Sequence, residues 1–161
     1  MKEDKTQKVL IALDYDPTAQ KVAEIGYSVA LSMGAEIILL HVMSDPVYYS
    51  SREYDPIMGF TGYLSMEQVP SESAEGLKHA SQQYLDHIKQ YLGDESIKTL
   101  VKEGKIADSI IMAASALQAD FIFLGSHSRR WLEEILMGSV TEYVLHHSSI
   151  PLFIIPTKKR S

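Results

Sequence analysis

Val9 to Leu13 reads VLIAL, an apolar run with no polar side chain to turn toward water. Successive residues of a strand face opposite sides, so an unbroken apolar run must be covered on both. Three more largely apolar runs follow at long intervals: EIILLHVM at Glu36–Met43, FIFLG at Phe121–Gly125 and LFII at Leu152–Ile155. The stretches between them change period. After Asp16, placed to cap, and Pro17, placed to open a helix, Val22, Ile25, Val29 and Met33 recur at helical spacing, and Gly34 stops the pattern. A long amphipathic helix is expected from Ser71 to Leu92, with Leu77, Tyr84, Ile88 and Tyr91 on one face. Ile97–Lys102 alternates strictly, as an edge strand does. Beyond Gly104, residues Ile106, Ile110, Ile111, Ala114 and Leu117 mark another helix, and Ser139–Ser149 marks the last. Strand and helix alternate throughout, which predicts an α/β fold: five parallel strands with helices on both faces.

One connection breaks the rhythm. Met43 to Pro70 carries Pro46, Pro56, Gly59, Gly62 and Pro70 without a sustained period. Connections of that length are uncommon in a compact domain. Its aromatics, among them Tyr48, Tyr49, Tyr54, Phe60 and Tyr63, are too many for a plain linker, and we expect a partly ordered flap over about 43–70. The 161 residues suit a single domain over 1–161, large enough to bury roughly 70% of its unfolded surface without staples. No cysteine is present, which excludes a thiol enzyme, a cysteine-ligated metal site and a disulfide scaffold. MKEDKTQ has no apolar segment behind it that would make a signal peptide, and no apolar run nears the ~20 residues of a bilayer span. A cytoplasmic protein with no membrane partner is the expectation. Net charge is −6 and the basic residues are scattered apart from Lys158-Lys159-Arg160, so a nucleic-acid partner is not expected either.

The stretch GSHSRRWLEEILMGSV, Gly125 to Val140, carries the candidate chemistry. Ligands of open parallel sheets sit beyond the carboxyl ends of the strands, where strand order reverses. There the first strand offers Asp14 after a small Ala12, and the fourth offers Gly125. Ser139-Val140-Thr141-Glu142 has the form of a capping box, which makes Ser139 an expected N-cap. The free N–H groups of such a first turn suit phosphate, and Gly138 lets a ligand approach the backbone. The same capping box also stabilises many helices that bind nothing. Neither G-x-x-x-x-G-K-[ST] nor G-x-G-x-x-G after a strand occurs.

From VLIALD through LLHVM to FIFLGSHSRR…LMGSVTEYVLHHSSIPLFIIP, the chain resembles the universal stress protein family over essentially its whole length. The resemblance implies the adenine nucleotide alpha hydrolase-like arrangement, strand order 3-2-1-4-5, with the first and fourth strands adjacent. The nucleotide-binding branch carries G-2x-G-9x-G-[ST]. This chain keeps that spacing as Gly125, Ser128, Gly138 and Ser139, with serine in place of the second glycine. Where that position needs positive φ, serine meets a steric cost that glycine avoids. The resemblance implies that Ala12, Asp14 and Val42 line adenine and ribose. It further implies that Gly125, Ser128, Gly138, Ser139 and Val140 hold ribose and phosphates, with Arg129 adding charge. It implies ATP as ligand, with or without Mg, and a homodimer through the last strand, Leu152–Ile155, whose apolar edge invites pairing.

Catalysis finds no constellation in the sequence. His79 and His87 are expected to face solvent, and His146 and His147 are adjacent and point to different sides of their helix. His127 lies inside the loop. Asp14 has no partner base, so no catalytic residue and no metal site is assigned. Trp131 reads as a packing anchor. Three functions remain open: an ATP-binding regulatory stress-response protein with little or no turnover, a nucleotide-free dimeric interaction module, and a weak ATP hydrolase.

Overall fold

The computed structural model describes residues 5–15, 17–43, 74–126 and 139–157, Ala74 and Ser139 by backbone alone. Nine elements follow one another: β1 (Lys8–Ala12), α1 (Ala19–Ser32), β2 (Glu36–Met43), α2 (Ala74–Leu92), β3 (Lys98–Glu103), α3 (Ile106–Leu117), β4 (Phe121–Gly125), α4 (Ser139–His147) and β5 (Leu152–Ile155). The strands form one sheet in the order β3-β2-β1-β4-β5, every pair parallel. The fold is the one the apolar runs require. Val9, Leu10 and Ile11 are fully buried because each face of β1 meets a helix layer.

The two layers build separate cores. Behind the sheet, Val9, Ile11, Leu13, Ile37, Leu39 and Phe123 pack with Val22 and Ala23 of α1 and with Tyr84, Leu85 and Ile88 of α2. In front, Leu10, Ile38, Leu40, Val42, Ile122 and Leu124 pack with Ile110, Ala113 and Ala114 of α3 and Val144 of α4. Each large side chain buried this way contributes about 1.5–3 kcal/mol. Among the described residues no helix is long and apolar enough to cross a membrane.

Helix α1 departs from the expected face. Its buried stripe is Ala19, Val22, Ala23, Gly26 and Ala30, whereas Ile25 is 38% exposed. Small residues allow a close approach: a Cβ on Gly26 would stand 3.0 Å from Ile11 Cδ1. The helix starts at Ala19 rather than at Pro17, with Thr18 in the cap position making no side-chain cap bond; Asp16 lies outside the described residues. Pro17 and Thr18 form a turn, and the first helical bond runs from Val22 N to Thr18 O at 3.1 Å. Its end agrees with the sequence. Gly34, at φ 65°, donates to Leu31 O, and Ala35 donates to Ala30 O, the paired bonds of a left-handed glycine stop.

On α2, Tyr84 and Ile88 are buried as expected, Leu77 is half-buried, and Tyr91 is exposed. The Tyr91 hydroxyl bonds Glu24 and Gln20 of α1, which a phenol at a helix margin can do and an aliphatic residue cannot. Strand β3 is an edge, as its alternation requires, with Val101 against the rear core and Leu100 against the front one. Residues 44–70 of the expected flap lie outside the described residues; Met43 is the buried end of β2.

Candidate functional site

From the adjacent central strands β1 and β4 the sheet winds in opposite directions, toward β2 and β3 on one side and β5 on the other. That reversal is where an open α/β sheet leaves a crevice. The pairing registers mark its floor. β1 stays paired to β2 as far as Ala12 opposite Leu40, and β4 to β5 as far as Gly125 opposite Ile155. Between β1 and β4 the recorded register ends earlier, at Ile11 opposite Phe123.

On the front side of this end stand small side chains. Ala12 and Val140 are half-buried and pack on the front core, and Val42 is buried within it. Asp14 is half-buried two residues beyond Ala12. Gly125 closes β4, and the Thr141 hydroxyl, in the first turn of α4, donates to the Gly125 carbonyl at 2.7 Å. That bond fastens the helix start to the strand end, across the whole length of the intervening loop. The structure thus gathers Ala12, Val42, Gly125 and Val140 with the Asp14 turn at one end of the sheet. Ser128, Arg129 and Gly138, with His127 and Trp131, lie outside the described residues.

The expected capping bond of Ser139 lies outside the described residues. The described part of α4 begins at Ser139, known by its backbone alone, and Glu142 lies in the first turn with its carboxylate 4.0 Å from His146 Nε2. The start of the loop has a fastening that the sequence did not reveal. Ser126 is buried; its N–H donates to Ile155 O at 2.8 Å, and its Oγ accepts from Thr157 N at 3.0 Å. Two small hydroxyl residues thereby lock the exit of β4 to the exit of β5.

A further residue missed from sequence is His41. It is 2% exposed, and its Nδ1 lies 2.7 Å from the Leu13 carbonyl. Burial pushes its pKa down to about 4, against the bond to Leu13, which raises it, so the ring is neutral at physiological pH. The available signal was a histidine inside an otherwise apolar strand. Of the other histidines, His79, His146 and His147 are exposed, whereas His87 is half-buried and its pKa is lowered by that burial. Among the described residues no three His, Cys, Asp or Glu side chains stand together as a metal site.

The profile of the Universal stress protein family matches residues 5–156. The chain belongs to that family. Universal stress protein MJ0577 of Methanocaldococcus jannaschii is 28% identical over 155 residues, covering 94% of this chain and 96% of the relative. The solved structure of MJ0577 superposes with a TM-score of 0.72 at 27% identity, over 96% of this chain and 98% of that one. Two universal stress proteins share the fold at lower identity. One, solved in complex with cAMP, has a TM-score of 0.63 at 17% identity and covers 95% of this chain and 98% of its own. The other, from Arabidopsis thaliana with AMP bound, has a TM-score of 0.59 at 16% identity and covers 93% and 91%. The strand order of this universal stress protein is the order its resemblance implied.

Proposed function

We propose that this universal stress protein binds an adenine nucleotide at the carboxyl ends of β1 and β4 and acts as a regulatory stress-response protein with little or no turnover. The observation that carries the reading is the switch-point end of the sheet, where the recorded β1–β4 register stops at Ile11 and the front is lined by small side chains. Ala12 and Val42 suit the flat face of adenine, and Asp14 suits its edge or the ribose. The first turn of α4, tied to Gly125 through Thr141, offers backbone N–H groups to phosphate. The nucleotide complexes of fold relatives, with cAMP in one and AMP in another, support the same ligand class. ATP is the expected nucleotide, with Mg, if present, carried on its phosphates.

Calorimetry on the full chain tests this. ATP should bind with micromolar affinity, about −8 kcal/mol. Ser128→Gly probes the departure from the family's spacing: tighter binding indicates strain in the loop, and weaker binding indicates a hydroxyl on phosphate. No binding in the wild type, restored by Ser128→Gly, would overturn the reading.

One observation favours an interaction role beside it. Phe153 on the β5 edge is 39% exposed although its ring stacks on Phe123 at 4.6 Å. An apolar edge of this kind suits a homodimer through Leu152–Ile155. Light scattering should find a dimer that Phe153→Lys converts to monomer; a wild-type monomer at high concentration would sink the homodimer.

A further inference from the structure

His41 stands on β2 next to Val42, and the two face opposite cores. Val42 belongs to the front, while the His41 ring packs behind the sheet, 4.3 Å from Tyr15 and 5.9 Å from Tyr84 between ring centres. Tyr15 and Tyr84 meet edge to face at 4.7 Å, and the Tyr15 hydroxyl bonds Ser81 Oγ of α2 at 2.8 Å. A carbonyl only accepts, so the 2.7 Å contact with Leu13 O places the ring proton on Nδ1. The Tyr84 hydroxyl donates to the next carbonyl, that of Asp14, at 2.7 Å. Two consecutive carbonyls at the point where β1 leaves the sheet are therefore held from behind by buried side chains. Burying an imidazole in a strand core is costly unless it is bonded, and an aliphatic residue would fill the space at no such cost. The bond to Leu13 is one that an aliphatic residue could not make.

We propose that His41 is a positioning residue for the candidate site: acting through the Leu13 carbonyl, with Tyr84 acting through the Asp14 carbonyl, it presets the β1–α1 turn so that Asp14 meets a nucleotide already in place. The inference rests on the nucleotide reading above. A preset turn spares the ligand the ordering of that segment, and its loss should weaken binding roughly three- to tenfold.

The test uses the full chain with ATP as probe, in wild type, His41→Phe, His41→Asn and Tyr84→Phe, each checked for folding by urea titration. His41→Phe keeps the ring and removes the donor. His41→Asn restores an N–H near the Nδ1 position, and Tyr84→Phe is a mild change should His41→Phe fold poorly. We expect His41→Phe and Tyr84→Phe to weaken ATP binding and His41→Asn to recover most of it. Without nucleotide, amide hydrogen exchange over residues 14–18 should quicken in the two phenylalanine variants and return in His41→Asn. Variants that lose stability but keep the wild-type Kd and exchange would show that His41 only fills the core. If the wild type binds no ATP, the nucleotide reading fails on that result; exchange then decides separately, quickening supporting the preset turn and no change overturning it.

Discussion

Behind the sheet, the carboxyl ends of β1 and β2 are closed by three rings, Tyr15, His41 and Tyr84, whose polar atoms bond the Leu13 and Asp14 carbonyls and Ser81. In front, the same ends carry Ala12 and Val42, with Val140 facing them from α4. The same strands thus end in a filled, hydrogen-bonded wall on one side and a floor of small side chains on the other. The proposed nucleotide would lie on the second. The first gives rigidity: rings in mutual contact resist sliding, and each bonded carbonyl removes a freedom from the turn that carries Asp14.

The largest expected effect separates the two faces by pH. The folded pKa of His41, about 4, lies below the ordinary value of 6.5, so the unfolded chain binds the proton more readily. Its contribution is full above the unfolded value, falls as pH drops from 6.5, and is gone near 4. It amounts to about 3 kcal/mol. Tyr15, Tyr84 and the Leu13 carbonyl, which pack around the ring, carry no charge of their own at these pH values. His87, lowered by burial as well, adds a slope of the same sign. Urea unfolding across that range should therefore steepen in the wild type and flatten in His41→Phe. Equal slopes in both would show that the rear wall admits water.

Next comes the front face. Thr141 is 4% exposed, and its hydroxyl is the bond between α4 and the end of β4. Thr141→Val keeps the shape and leaves the Gly125 carbonyl without that partner, at a cost of about 1–2 kcal/mol. ATP affinity should fall with it, because Gly125 and the start of α4 bound the proposed phosphate loop. Unchanged stability in chemical unfolding would mean that water replaces the hydroxyl freely and that this end of the sheet is wetter than the rear.

How far each face was legible follows from what carries its signal. The strands were legible because unbroken runs such as VLIAL have few alternatives, and the order 3-2-1-4-5 followed once the family resemblance was seen. The front of the site was partly legible: Ala12, Asp14 and Gly125 lie at strand ends, where a switch point needs them. Val42 and Val140 required the resemblance, since one more valine in an apolar strand or helix start says nothing. The rear wall was not legible. Hydropathy treats His41 as an interruption and Tyr15 as a loop residue, and only the third dimension joins them to Tyr84, far along the chain from both. The same limitation misplaced Ile25. Periodicity favours large apolar residues, whereas α1 packs through a stripe of alanine and glycine whose small size lets it settle on β1.

The smallest expected effect lies at the far end of the sheet, where strands begin rather than end. Glu36, which opens β2, pairs with Lys98 of β3, and the hydrogen bond from Lys98 holds the Glu36 pKa below its usual value. The Lys98 side chain is 68% exposed, so water competes for it and salt screens it. Such a pair contributes under about 1 kcal/mol. Its contribution is present above the ordinary carboxylate range and disappears as pH falls through the lowered value, below most of the interval in which His41 titrates. Glu36→Gln should thus leave stability nearly unchanged at neutral pH, and added salt should erase what difference remains. A salt-resistant loss above about 1 kcal/mol would show that the amino end is clamped as firmly as the rear wall, and the contrast between the two ends would have to be redrawn.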